Sequence, residues 1–131
     1  SQREKGVSMK KVIIKAKIIS KDDCQIYEGE GKYDPKKKII KYQDQNALVT
    51  LFINDDILLR ETAEIILSYK YKENSENDFE IYLKDTKRCG YVKLKTYQIK
   101  RNDNKYEVEY NIDGNNYNHI YQIEWRILWV F

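Results

Sequence analysis

The chain predicts an all-β fold, a single antiparallel up-and-down barrel of about eight to ten strands. Three observations carry the prediction. The apolar set holds 17 Ile, 6 Val and 12 Tyr against 3 Ala, and β-branched and aromatic side chains suit a pleated surface, whereas Ala is the strongest helix former. Apolar and polar residues alternate with period two in segment after segment, and no stretch has the period of a long amphipathic helix. Turn residues recur between these segments, as in Asp34-Pro35, Asn54-Asp55-Asp56 and Asp113-Gly114.

Taken in order, residues 1–8 show no periodicity ahead of Met9 and read as a disordered extension or a cloning remnant, leaving 9–131 as one β-barrel domain. Lys10 to Ile19 alternates, with Val12, Ile14, Ala16 and Ile18 on one face. Gln25 to Tyr33 follows, with Tyr27, Gly29, Gly31 and Tyr33 on one side of the pleat. Asp34-Pro35-Lys36-Lys37 turns the chain, because proline's fixed φ suits the second turn position, and Lys38 to Gln43 is a short strand. Ala47–Ile53 and Ile57–Thr62 are joined by the loop Asn54-Asp55-Asp56, and a three-residue loop pairs Ile53 with Ile57 and Thr50 with Arg60. Ile65, Leu67, Tyr69 and Tyr71 share the face of the next strand. Glu73 to Asp78 is expected as an exposed loop, Phe79–Leu83 as a strand and Asp85 to Gly90 as a turn region. Tyr91 to Ile99, Tyr106 to Tyr110 and a last strand from Tyr117 to Ile127 complete the series. In that last strand Tyr117, His119, Tyr121, Ile123, Trp125 and Ile127 point one way.

Charge narrows the function. The 24 basic and 21 acidic residues are interspersed, for a net +3, too weak a field for a typical nucleic-acid binder. Tyr69-Lys70-Tyr71-Lys72 and Tyr91-Val92-Lys93-Leu94-Lys95 interleave rings and charges, but the alternation is expected to put the two on opposite faces rather than on one stacking surface. Met9-Lys10-Lys11-Val12-Ile13-Ile14 opens like a secretion signal. Lys15 and Lys17 interrupt the apolar run and no small-residue cleavage site follows, so secretion is rejected. No run reaches the ~18 apolar residues of a membrane span. Cys24 and Cys89 are too sparse for a disulfide framework or a zinc site, which points to free thiols in a reducing cytoplasm.

Tyr27-Glu28-Gly29-Glu30-Gly31-Lys32-Tyr33, Leu48-Val49-Thr50-Leu51 through Leu58-Leu59-Arg60, Thr86 to Gly90 and Lys95-Thr96, in that order, resemble the YwiB-like family of small uncharacterised bacterial proteins over about Lys10 to Ile127. The resemblance implies a calycin-like (lipocalin-like) barrel and a cytoplasmic protein. It brings no catalytic residues. Asp85-Thr86-Lys87-Arg88-Cys89-Gly90 departs from the family's Thr-x-x-Gly pattern by an extra residue.

Candidate ligand-binding residues are Arg60, for its bidentate chemistry with carboxylate or phosphate, and Thr50, His119, Tyr117 and Tyr121. His119 is the only histidine, so no histidine metal cluster is expected, and a hydrogen-bonded rim histidine is favoured over a general base. Glu28-Gly29-Glu30-Gly31 lacks the Lys-Ser/Thr and the helix start of a phosphate loop. No cofactor, metal or catalytic residue is expected, nor a nucleic-acid or membrane partner. Barrels of about eight strands either fill their interior or hold one small ligand, so the leading expectation is a non-enzymatic barrel that binds a small apolar or amphipathic molecule. The alternative is a filled barrel acting structurally through its apolar tail, where Trp129 and Phe131 hold a lid or a homodimer.

Overall fold

The computed structural model describes residues 9–128. The expectations for residues 1–8, and for Trp129 and Phe131, lie outside the described residues. The rest is a ten-stranded antiparallel barrel: β1 (Lys10–Ser20), β2 (Asp23–Asp34), β3 (Ile39–Gln43), β4 (Leu48–Phe52), β5 (Ile57–Glu61), β6 (Ile65–Lys70), β7 (Ser75–Leu83), β8 (Arg88–Asn102), β9 (Lys105–Ile112) and β10 (His119–Ile127). Each strand pairs with its neighbours in sequence, and β1 closes the barrel on β10, from Val12 opposite Ile127 to Ser20 opposite His119. Closure leaves no continuous edge exposed. No helix among the described residues is long and apolar enough to cross a membrane.

The alternation expected from sequence lines the interior. Val12, Ile14, Val49, Leu51, Leu58, Leu94, Val108 and Ile123 are fully or almost fully buried in one cluster with Tyr106 and Tyr121. At one end Tyr33 packs on Trp125 with ring centroids 5.6 Å apart. There Asp56, in the β4–β5 turn, accepts a hydrogen bond from the Tyr106 hydroxyl at 2.9 Å and ion-pairs with Arg101. This is the plugged end. The loops β1–β2, β3–β4, β5–β6, β7–β8 and β9–β10 gather at the other, which we call the mouth.

The two glycines of β2 are explained by close approach. A Cβ on Gly31 would collide with the Ile14 side chain and lie 2.7 Å from the Lys41 carbonyl oxygen, so no side chain fits where β1, β2 and β3 converge. A Cβ on Gly29 would fall 2.5 Å from the Tyr27 hydroxyl, because the Tyr27 ring lies over this residue.

Several boundaries differ from expectation. The β4–β5 register is offset by one residue: Phe52 faces Ile57, Leu51 faces Leu58 and Val49 faces Arg60. The buried Ile53 does not enter the ladder to β5. Its amide bonds instead to the Lys38 carbonyl at 2.9 Å, so the loop holds four residues and ends on Asp56 at φ 55°. A one-residue slip exchanges the two faces of a strand. Thr50 therefore opposes Leu59 and the exposed Lys41 on the outer face, not Arg60. The segment expected as a loop from Glu73 to Asp78 pairs from Ser75 onward, with Glu76 opposite Lys95 and Asp78 opposite Lys93. Opposite charges across the ladder stabilise it without an apolar signal. Likewise the β7–β8 turn is only Lys84–Lys87, and Arg88 to Gly90 are strand.

In β8 a bulge between Thr96 and Gln98 leaves Tyr97 without a β9 partner and brings Ile99 back to the core side. The idea that rings and charges separate onto opposite faces fails for Tyr91. It is 58% exposed and lies in phase with Lys93 and Lys95, whereas Leu94 is buried. Asp113 and Gly114 both adopt left-handed φ, at 54° and 65°, as a tight hairpin turn requires. The chain nevertheless stays in a loop until Asn118, so β10 starts at His119 rather than Tyr117.

Candidate functional site

The mouth holds a cleft of about 620 Å³. Its apolar wall comes from Ala16 and Ile18 of β1 and Ile26 of β2, and its aromatic wall from Tyr27 and Tyr42. These two rings stack at 5.1 Å with 19° between planes, and the Tyr27 hydroxyl donates to the Glu30 carbonyl at 3.1 Å. Because Gly29 lacks a side chain, the Tyr27 ring can lie flat. At the floor the Tyr42 and Tyr121 hydroxyls hydrogen-bond to each other at 2.8 Å.

Arg60 reaches this cleft from β5, where its inward position follows from pairing with Val49 and Leu67. Its Nη2 lies 3.0 Å from Asp44 Oδ2, and both side chains are only 16% exposed. Asp44 is anchored independently, since its Oδ1 accepts the amides of Asn46 at 2.8 Å and Ala47 at 2.7 Å, the geometry of an Asx turn. The turn thus presents a fixed carboxylate to the guanidinium.

Electrostatics here are dominated by burial. It pushes the Tyr42 hydroxyl up to about 12, with the Tyr121 hydrogen bond and the Arg60 charge opposing the rise. Tyr121, Tyr69 and Tyr110 are also raised by burial, again against the pull of Arg60. Tyr71 stands well above the usual phenol value for the same reason, and its buried hydroxyl has no hydrogen-bond partner. Tyr110 lies beside it, at a centroid distance of 5.2 Å, near enough for the hydroxyls to influence each other's titration without meeting hydrogen-bond geometry.

A phenol whose pKa rises on folding keeps its proton in the folded state, while the unfolded chain loses its own near pH ~10. The stability from this source is complete below that pH and is lost as pH rises towards and beyond about 12. We expect cooperative alkaline unfolding in which the tyrosinate absorbance of the buried rings appears together with the loss of far-ultraviolet circular dichroism. Ionisation of these rings ahead of unfolding would contradict the burial argument.

The structure brings Arg60 and Tyr121 together at the cleft. His119 and Tyr117 lie beside it, on the rim. His119 Nδ1 is 2.5 Å from Ser20 Oγ, and its ring stacks on Tyr110 at 5.3 Å and meets Tyr117 edge-on at 5.5 Å. Burial lowers its pKa. Thr50, on the outer face, does not meet the others. Sequence reasoning missed Tyr42, Asp44 and the ring pairing of Tyr27. Period two in Ile40-Lys41-Tyr42 and Tyr27-Glu28-Gly29 was the signal that could have marked the two tyrosines as inward, but nothing in Gln43-Asp44-Gln45-Asn46 announced a partner for Arg60. Among the described residues, no three His, Cys, Asp or Glu side chains converge as metal ligands.

No family model matches the chain, and no curated protein matches it. Among solved structures it resembles the crystal structure of the YwiB protein from Bacillus subtilis, at 13% identity and a TM-score of 0.64, over 89% of this chain and 92% of that one. The fold is YwiB-like. At that identity the likeness concerns the fold alone.

Proposed function

We propose that this protein is a cytoplasmic, YwiB-like and calycin-like bacterial barrel that binds one small amphipathic molecule in its mouth. The observation that carries the reading is the 620 Å³ cleft, where apolar β1 and β2 side chains face a few convergent polar groups. That combination typifies small-molecule sites. Below the cleft the interior is filled by side chains, so the ligand sits at the mouth and not along the barrel axis. A non-catalytic role is supported by the convergent groups being bonded to one another, Arg60 to Asp44 and Tyr42 to Tyr121. A small molecule is favoured over nucleic acid because Lys93 and Lys95 on the outer face of β8 oppose Asp78 and Glu76. The exposed free thiols of Cys24 and Cys89 support a reducing compartment.

The test is titration with Nile red, a neutral dye whose emission shifts in apolar surroundings. Wild type should bind at micromolar concentration. Ile18→Trp, which fills the cleft, and Ile26→Glu, at a position 56% exposed on its rim, should each weaken binding about tenfold or more, a loss of at least ~1.4 kcal/mol, with unchanged circular dichroism. Dye binding indifferent to both substitutions, or absent, would remove the reading.

A further inference from the structure

We propose that the mouth selects an uncharged, planar molecule carrying hydrogen-bond acceptors and discriminates against the same molecule bearing a carboxylate. The inference rests on the binding role above and names its ligand class.

Arg60 would ordinarily mark an anion site. Here its charge is already matched. Asp44 stands 3.0 Å from the guanidinium, and two backbone amides hold that carboxylate in place whether or not Arg60 is present. A ligand carboxylate would therefore need to approach Arg60 beside a fixed negative charge, in a pocket where low exposure weakens screening. Glu28 also borders the cleft, but it is exposed and lies opposite Lys15 on β1, so the balance at the guanidinium is set by Arg60 and Asp44, which sum to zero. A carboxylate entering this site loses hydration and gains no net attraction.

What Arg60 retains is donors. A guanidinium has five N–H groups, and a single contact with Asp44 leaves others able to reach a carbonyl or ether oxygen. The Tyr42 and Tyr121 hydroxyls share one hydrogen between them at 2.8 Å, so the second hydroxyl proton remains to be donated. Both phenols carry their protons at neutral pH, as any tyrosine does, so the unshared hydroxyl is a donor there. Planarity follows from the wall. Tyr27 and Tyr42 lie nearly parallel, and Tyr27 is pinned by its bond to the Glu30 carbonyl, so a flat face is available without side-chain ordering on binding. Ala16, the ladder neighbour of Tyr27, and Ile18 extend this flat face along β1 with apolar surface.

The experiment uses a matched pair, 7-methoxycoumarin and 7-methoxycoumarin-3-carboxylate, titrated into the full chain and scored by displacement of Nile red and by calorimetry. In wild type the neutral coumarin should bind at least about tenfold more tightly. Asp44→Asn keeps an acceptor oxygen for the turn amides and removes the matching charge, so it should abolish or reverse that preference. Asp44→Asn with Arg60→Gln should return the preference to the neutral compound. Equal or tighter binding of the carboxylate to wild type would overturn the proposal, as would a preference unaltered by Asp44→Asn. Failure of both coumarins to displace Nile red that responds to Ile18→Trp would refute the ligand class while leaving the mouth as the binding site. Absence of Nile red binding would remove the site and this proposal with it.

Discussion

Replacing Gly31 with alanine should destabilise the barrel by about 1–3 kcal/mol, the usual range for overpacking a tight interior, and lower the melting temperature by several degrees. The new Cβ would meet the Ile14 side chain, which can rotate, and the Lys41 carbonyl, which belongs to the β3 backbone and cannot move alone. Relief requires the β2–β3 ladder from Gly31–Tyr42 to Asp34–Ile39 to shift as a unit. The other strand glycines provide internal comparison. Gly29→Ala displaces only the end of the Tyr27 side chain, so it should cost less stability yet impair binding at the mouth by tilting that ring. Gly90 has open space where a Cβ would go and no positive φ, so Gly90→Ala should be neutral or stabilising by about 0.5 kcal/mol. Thermal denaturation of the three variants checks the order, and a Gly31→Ala protein as stable as Gly90→Ala would refute the close-approach account.

The second large effect is expected at the plugged end. Asp56→Ala should cost about 2–4 kcal/mol. It leaves the Tyr106 hydroxyl without an acceptor, and charge-assisted hydrogen bonds are worth ~1.5–3 kcal/mol. It also puts a Cβ-bearing apolar residue at φ 55°, a conformation that costs ~1–2 kcal/mol unless a short polar side chain or glycine occupies it. Asp56→Gly separates the two terms because it retains the backbone conformation and loses only the acceptor. Tyr106→Phe in the Asp56→Ala background should restore part of the loss, since the buried hydroxyl is then absent altogether. Arg101→Ala should cost under ~1 kcal/mol because the arginine is substantially exposed and solvent screens the pair. Denaturant melts of these four variants, of Tyr106→Phe alone and of wild type decide the matter. An additive double variant would mean that the Tyr106–Asp56 bond contributes little.

Alternation by itself determined that the chain is a single all-β barrel, and it put Val12, Ile14 and Ala16 on one face of the first strand and Tyr121, Ile123 and Trp125 on one face of the last, the faces that turn inward. The period-two pattern is a direct imprint of one buried and one solvated face, so it survives without any knowledge of neighbours. It also placed Arg60 and Tyr121 among the candidates. It failed where pairing between strands, not burial, governs. Ser75–Asp78 are polar strand residues held by main-chain pairing with Lys93–Thr96 of β8, which no local pattern records. The β4–β5 register turned on whether Ile53 bonds to Ile57 or to Lys38, and one residue of difference moved Thr50 out of the site and Val49 beside Arg60. Asp44 became the partner of Arg60 because β4–β5 pairing sets Val49 opposite Arg60 and so brings the β3–β4 turn beside the end of β5. Tertiary structure therefore decided the charge state of the mouth: the sequence supplies a buried-facing arginine, but neutralisation depends on a contact between residues sixteen positions apart whose turn geometry alone aims the carboxylate inward.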